Sequence, residues 1–200
     1  MLNDSVTIIS FYTNTWEYPK YAKIMEDDCK RLGVKSHIVQ IEDTGSWIDN
    51  TCIKPKFILD TINKLKTPVL WVDADGMICQ TPTYSNTNCD WGACKRPRTH
   101  DRMWYVGTLY FNYTRNAIKM LESWVEATKL HEGSDELALD ELWKSYSDSI
   151  SIDVLPEEYF QMMNANNPDP FRNTVIAHRA SKGDSKKEYM LTKKIDNKDK

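Results

Sequence analysis

The sequence predicts one α/β domain, a central mixed and mostly parallel sheet flanked by helices. Three observations carry that prediction. Segments rich in β-branched and aromatic residues alternate with helical periodicity along nearly all of the 200 residues. Val6 to Ile41 reads strand, helix, strand, a unit that is right-handed and parallel by default. Finally, a short apolar run, Val69-Leu70-Trp71-Val72, ends on the acids Asp73 and Asp75. Such a run suits a strand buried on both faces, and its carboxyl end is where open α/β sheets bind ligands.

Each element follows from local chemistry. Val6 to Tyr12 is a strand by composition. Pro19 opens a helix to about Leu32, which Gly33 ends. Ser36 to Ile41 alternates as a second strand, and Glu42 to Asn50 reads as a loop. Pro55 begins a helix to about Leu65 with Phe57, Ile58, Ile62 and Leu65 on one face. After the central strand come strand candidates at Asp90 to Lys95 and Tyr105 to Asn112, joined by a loop carrying Arg96, Arg98, His100 and Arg102. Arg115 to Leu130 is an amphipathic helix directing Ile118, Leu121, Trp124 and Val125 inward. Ser134 can cap a helix from Asp135 to Tyr146, whose first-turn acids suit the helix dipole. Strands at Ile150 to Leu155 and Val175 to His178 flank a Pro/Asn-rich loop from Asn164 to Asn173. Residues 1–183 are read as the domain and 184–200 as a polar tail with little to pack.

Composition excludes several classes. A net charge of -3 and a pI near 5.8 argue against a nucleic-acid partner, which wants a basic face. Mean hydropathy of -0.60 and the lack of any long apolar run argue against an integral membrane segment. The first residues lack the pattern of a secretory leader. The five cysteines, Cys29, Cys52, Cys79, Cys89 and Cys94, are odd in number and never spaced as CxxC, so a reducing compartment is the simpler reading. A soluble, cytoplasmic protein is expected.

Asp73 and Asp75 carry the functional argument. In extended backbone, residues two apart point the same way, so both carboxylates can converge. Such a pair repels itself unless a proton or cation intervenes. Gly76 would let the chain turn and a ligand approach. Carboxylates are the hard oxygen ligands that Mg²⁺ and Mn²⁺ prefer. The bland alternative is a pair of solvated acids at a strand end.

At this point the residues resemble a known class. An N-terminal β-α-β, Lys54-Pro55 opening a helix and the VLWVDAD strand are similar to the GT-A nucleotide-sugar glycosyltransferases, a Rossmann-like fold marked by an apolar strand entering D-x-D. Gly107 to Asn112 resembles the strand lining the sugar pocket. Asp135-Glu136 falls where that class reads the donor sugar or places a catalytic acid. Ile176-Ala177-His178, with Lys182-Gly183 downstream, resembles the C-terminal histidine that completes the metal shell, although the usual Lys-Pro-Trp ending is missing.

The resemblance implies a retaining hexosyltransferase that uses a UDP-sugar donor, a glycan or other hydroxyl acceptor and Mn²⁺ (or Mg²⁺). It implies Asp73, Asp75 and His178 as metal ligands and Asp135 or Glu136 as the catalytic acid group. Tyr12, Thr13, Lys54, Asp73, Ala74, Asp75, Gly107, Thr108 and Lys182 would bind the nucleotide-sugar. Each has an ordinary reading as well: core packing for Tyr12 and Thr13, a solvated charge for Lys54, helix capping for Asp135 and Glu136, a structural imidazole for His178.

Two rivals remain. A haloacid-dehalogenase-like phosphatase also has an apolar strand entering D-x-D-G, with the first acid, here Asp73, as nucleophile. Against it, two strands precede the motif, Met77 stands where Thr is usual, and the later acidic stretch after Gly183 follows no apolar strand. A non-catalytic sugar- or nucleotide-binding module with a relict metal site is the third reading.

Overall fold

The computed structural model describes residues 6–97, 102–130, 133–146, 149–163 and 168–179. Arg98, His100, Lys182 and the tail read over 184–200 lie outside the described residues. The order begins β1 (Thr7–Thr13), α1 (Tyr18–Leu32), β2 (Ser36–Ile41), α2 (Trp47–Cys52), α3 (Lys54–Leu65) and β3 (Val69–Val72). It continues through β4 (Gly76–Ile78), β5 (Trp91–Lys95), β6 (Trp104–Phe111), α4 (Arg115–Leu130) and α5 (Asp135–Tyr146). β7 (Ile152–Val154), β8 (Gln161–Met163) and β9 (Ile176–Arg179) complete it.

Six strands form the main sheet in the order β2-β1-β3-β6-β5-β7. β1 runs parallel to β2 and β3, and β7 parallel to β5, while β6 is antiparallel to both neighbours. The sheet is therefore mixed and mostly parallel, as the sequence predicts. Gly33 ends α1 with φ of 66°, and its N–H closes onto Lys30. The left-handed turn is the reason glycine stands there.

The pleat of β3 divides the core in two. Val69 and Trp71 face one side, with Ile58 and Ile62 of α3, Leu121 and Trp124 of α4 and Leu139 of α5. Leu70 and Val72 face the other, with Met25 and Cys29 of α1 and Ile78 and Ile176 of a second sheet. All four β3 residues are buried, as a strand covered on both faces must be.

Of the second sheet, the sequence marks only the last strand, read over Val175 to His178. It has three strands in the order β4-β9-β8, β9 pairing antiparallel with β4 and parallel with β8. Its strands are three or four residues long, too short for periodicity to register. A second departure is α2, which occupies part of the stretch read as a loop. The Ser46 hydroxyl caps it by accepting the Asp49 N–H, 3.3 Å. Gly76 also has a different role from the one its sequence position suggests. It lacks positive φ, and a Cβ there would stand 2.4 Å from Val72 Cγ1 and 3.0 Å from the Asp73 carbonyl oxygen. Packing of the turn against β3, rather than ligand approach, requires glycine. Gly76→Ala is expected to destabilise the fold by about 1–3 kcal/mol, the usual cost of overpacking, measurable by denaturant titration.

Candidate active site

The sheet's pleat explains where the two acids go. Asp73 continues β3 for one more step, its N–H bonding to the Gly107 carbonyl of β6 at 2.8 Å. It therefore shares the face of Trp71, whose indole N–H donates to Asp73 Oδ1 at 2.8 Å. That face carries α3 and α5. Lys54, the first residue of α3, places its Nζ 3.0 Å from Asp73 Oδ1 and 2.7 Å from Asp135 Oδ2 at the start of α5. It also donates to the Val106 carbonyl at 3.3 Å.

Lys54 and Asp135 are almost wholly buried, whereas the Asp73 side chain keeps 35% of its surface exposed. Burial opposes charge on Lys54, yet Asp135 and Asp73 hold its ammonium above the ordinary lysine range. Burial likewise opposes ionisation of Asp73, but Lys54, His178 and the Trp71 N–H outweigh it and keep that carboxyl below the usual carboxylate range. Asp135, the more enclosed acid, is pushed upward by burial and by its neighbour Asp73, against the pull of Lys54.

Asp75 follows the turn toward the other layer. Its Oδ1 stands 3.3 Å from His178 Nδ1, and its backbone oxygen accepts from the Arg179 N–H at 3.2 Å. The His178 ring is buried, and its Nε2 pairs with the Thr108 hydroxyl of β6 at 2.8 Å. Phe160 stacks on it at 4.5 Å, Tyr105 stacks on Phe160 at 4.1 Å, and the Arg96 guanidinium lies 4.3 Å from the Tyr105 ring centre. Gly107 makes room for this stack. A Cβ there would meet Phe160 at 2.8 Å and His178 at 3.1 Å.

Asp73 and Asp75 thus border the same cavity, Asp73 pairing with Lys54 and Asp75 with His178. Glu136 is paired with Arg96 and Arg102. Among the described residues no three His, Cys, Asp or Glu side chains converge as a metal cluster. The donor set still fits a divalent ion. If the Thr108 hydroxyl accepts from His178 Nε2–H, then Nδ1 presents a lone pair to the Asp75 carboxylate, and a cation between two such acceptors satisfies both. Mg²⁺-type sites commonly use one or two carboxylates and complete their shell with substrate phosphates.

Two connected cavities surround these groups. One is lined by Tyr12, Thr13, Ala74 and both acids, together with the aromatic rings of Phe11, Trp16 and Trp47. The other contains Asp73, Asp75, Asp135, Glu136, Gly107 and His178. Apart from Lys182, which lies outside the described residues, and Thr108, which reaches the site through His178, every residue expected to bind the metal or the nucleotide-sugar or to act as the acid borders one of them. Sequence reading missed Trp16, Trp47, Tyr105 and Phe160. Their aromatic character was a signal, but none sits in a motif.

With this geometry in hand, likenesses to solved structures are informative. No protein-family model matches the chain, and no curated protein sequence matches it. A glycosyltransferase involved in the glycosylation of the major capsid of PBCV-1 superposes with a TM-score of 0.70 at 13% identity, covering 94% of this chain and 99% of that one. The chain has a GT-A fold. The glycosyltransferase GlyE of Streptococcus pneumoniae TIGR4 gives a TM-score of 0.62 at 12% identity, covering 89% of this chain and 56% of its own. The galactosyltransferase LgtC, in complex with donor and acceptor sugar analogs, gives 0.54 at 13% identity, covering 88% and 87%. The phosphatase reading is not favoured by this fold. No helix among the described residues is long and apolar enough to cross a membrane.

Lys54 is the most testable part of this GT-A site. Lys54→Met leaves two carboxylates unpaired and is expected to cost about 3–5 kcal/mol, as breaking a buried ion pair does. Adding Asp135→Asn should recover part of that loss, and thermal melts of the single and double variants measure both effects.

Proposed function

We propose that the protein is a metal-dependent glycosyltransferase moving a hexose from a UDP-sugar to a hydroxyl of a glycan or similar acceptor, with retention of configuration. The observation that carries this reading is the pairing of Asp75 with His178 beside Asp73, at the junction of an aromatic-lined cavity and a polar one. That arrangement places an aromatic-lined slot next to a charged centre. LgtC, on the same fold, holds donor and acceptor sugar analogs, which supports a donor and an acceptor meeting here.

In this reading Asp75 and His178 hold Mn²⁺ or Mg²⁺, with Asp73 completing the shell or binding the ribose. An imidazole ligand favours Mn²⁺. The bound ion supplies Lewis acidity and charge neutralisation for the departing nucleoside diphosphate. The chain's own residues do the remaining work. Tyr12, Thr13 and Trp47 border the space for the base and ribose. Lys54 keeps Asp73 ionised and fixed. Gly107 lets Phe160 and His178 pack at the centre, and Ala74 borders the cavity beside both acids.

Retention is supported by the state of the two acids at the start of α5. An inverting enzyme needs a carboxylate free to take the acceptor proton. Asp135 is enclosed against Lys54, and Glu136 is held by Arg96 and Arg102. Both are therefore poor bases for an incoming hydroxyl. The same contacts shift the expectation for Asp135 and Glu136 from direct acid catalysis to shaping the sugar side of the cavity.

Two measurements test the proposal. Titration of UDP by calorimetry should show binding that needs Mn²⁺ and disappears in Asp75→Ala, with sugar-nucleotide turnover falling roughly a hundredfold or more, the several kcal/mol a Lewis acid supplies. The variant should stay folded because the Asp75 backbone bond to Arg179 survives. Full activity in Asp75→Ala, or UDP binding indifferent to metal, would overturn the metal role. Product analysis by NMR should find the donor's anomeric configuration preserved.

A further inference from the structure

We propose that a groove of about 730 Å³ beside the site binds an extended, neutral oligosaccharide, the acceptor of the transfer, with Phe171 as its stacking platform. The proposal rests on the transferase reading above. Its first support is position. The central cavity and this groove share Arg96, Tyr105, Phe160 and Met162, while the aromatic-lined cavity joins the centre on the opposite side through Trp47, Lys54 and the two acids. The groove therefore adjoins the central cavity across the side chains they share, next to where a donor would present its sugar.

Its second support is the lining. Phe171 is 56% exposed, Val154 52% and Met162 44%, and all three border the groove. Large apolar side chains clustered in the open mark a contact surface. Phe171 is held in place from beneath. The buried Gln161 amide accepts the Phe171 N–H at 2.7 Å and donates to the Asp169 carbonyl at 3.1 Å, and its oxygen also takes the Thr174 hydroxyl. A buried polar side chain thus anchors the loop that displays an exposed ring.

The third support is chemical. Lys95, Glu157 and Asn173 supply donors and acceptors around the apolar surface. A hexose offers an apolar C–H face to an aromatic ring and a girdle of hydroxyls to amide and charged groups, which is this combination. Charges of both signs on the rim suit a neutral chain of sugars better than a charged polymer. The volume lies within the range of roughly 300–1,000 Å³ that encloses ligands larger than one small molecule fragment.

The test uses the full chain with Mn²⁺ and UDP on a printed array of defined oligosaccharides, comparing wild type with Phe171→Ala. The backbone N–H that anchors the loop is untouched by this change, so the fold should persist. The expected result is retention of wild type on a set of related neutral oligosaccharides, weakened about tenfold or more in Phe171→Ala, with calorimetric UDP binding unchanged between the two. UDP binding without any oligosaccharide retained, or retention equal in both proteins, overturns the groove and leaves the transferase reading intact. Retention sensitive to Phe171 with no metal-dependent UDP binding keeps the groove and removes the transferase reading. A concentration-dependent dimer in wild type, abolished by Phe171→Ala, assigns the surface to a second copy of the chain and overturns the proposal.

Discussion

A single buried ammonium organises the site. Lys54 is enclosed where a charge is costly, and it remains charged because Asp73, Asp135 and the Val106 carbonyl surround it. These contacts join the start of α3, the end of β3, the middle of β6 and the start of α5. Each partner is locked by the others. Removing the lysine strands two acids, and removing either acid leaves the lysine short of compensation. The helices reach their positions through apolar packing on the sheet, but the carboxyl end of β3 takes its shape from this polar junction. It also decides which acid stays available. Asp73 is spoken for, whereas the Asp75 carboxylate meets an imidazole.

The contrast between the two acids comes from backbone geometry. Asp73 still obeys the strand's alternation, so it falls on the helix-facing side with Trp71. The turn closed by the Gly76 N–H on the Asp73 carbonyl, 2.8 Å, then carries Asp75 to the second sheet. There β4 pairs Gly76 with His178, which brings the imidazole beside Asp75. The ring is then fixed by Thr108 on one edge and Phe160 on one face. Gly107 is indispensable to that arrangement for a steric reason, since any side chain would occupy the space that Phe160 and His178 fill.

Much of this was legible in the sequence because it depended on local signals. Long elements such as α1, α4 and β1 announce themselves by periodicity, proline and glycine. The buried β3 and its two acids stand out through composition alone. Order along the chain was enough to mark His178 and the Asp135-Glu136 pair as belonging near them. What escaped reading depended on distant contacts. In the second sheet only β9 was read as a strand; β4 and β8, three residues each, are too short to carry a pattern and are defined by pairing with β9. Lys54 read as a nucleotide-sugar contact or a solvated charge before a helix, because only the fold reveals that two carboxylates arrive from residues far along the chain. The separate partners of Asp73 and Asp75 escaped for a related reason: a turn begins between the two acids, and Lys54 and His178 reach them from distant elements.

The charge arrangement bears on why a cation belongs to the proposed reaction. At the Lys54 junction one lysine is shared by two carboxylates, so its ammonium offers no free positive charge to the cavity, whereas the carboxylates of Asp73 and Asp75 border it. Arg96 and Arg102 are paired with Glu136, and the Arg179 guanidinium is engaged with the Asp75 backbone and the Tyr21 ring. A diphosphate entering past Tyr12 and Trp47 would therefore approach like charge at close range, where partial burial strengthens the repulsion. Protonating Asp73 is an unfavourable way out, because Lys54 holds it ionised. A divalent ion seated on Asp75 and His178 reverses the sign of the field at that point, and it does so without disturbing the lysine junction on which the surrounding backbone depends.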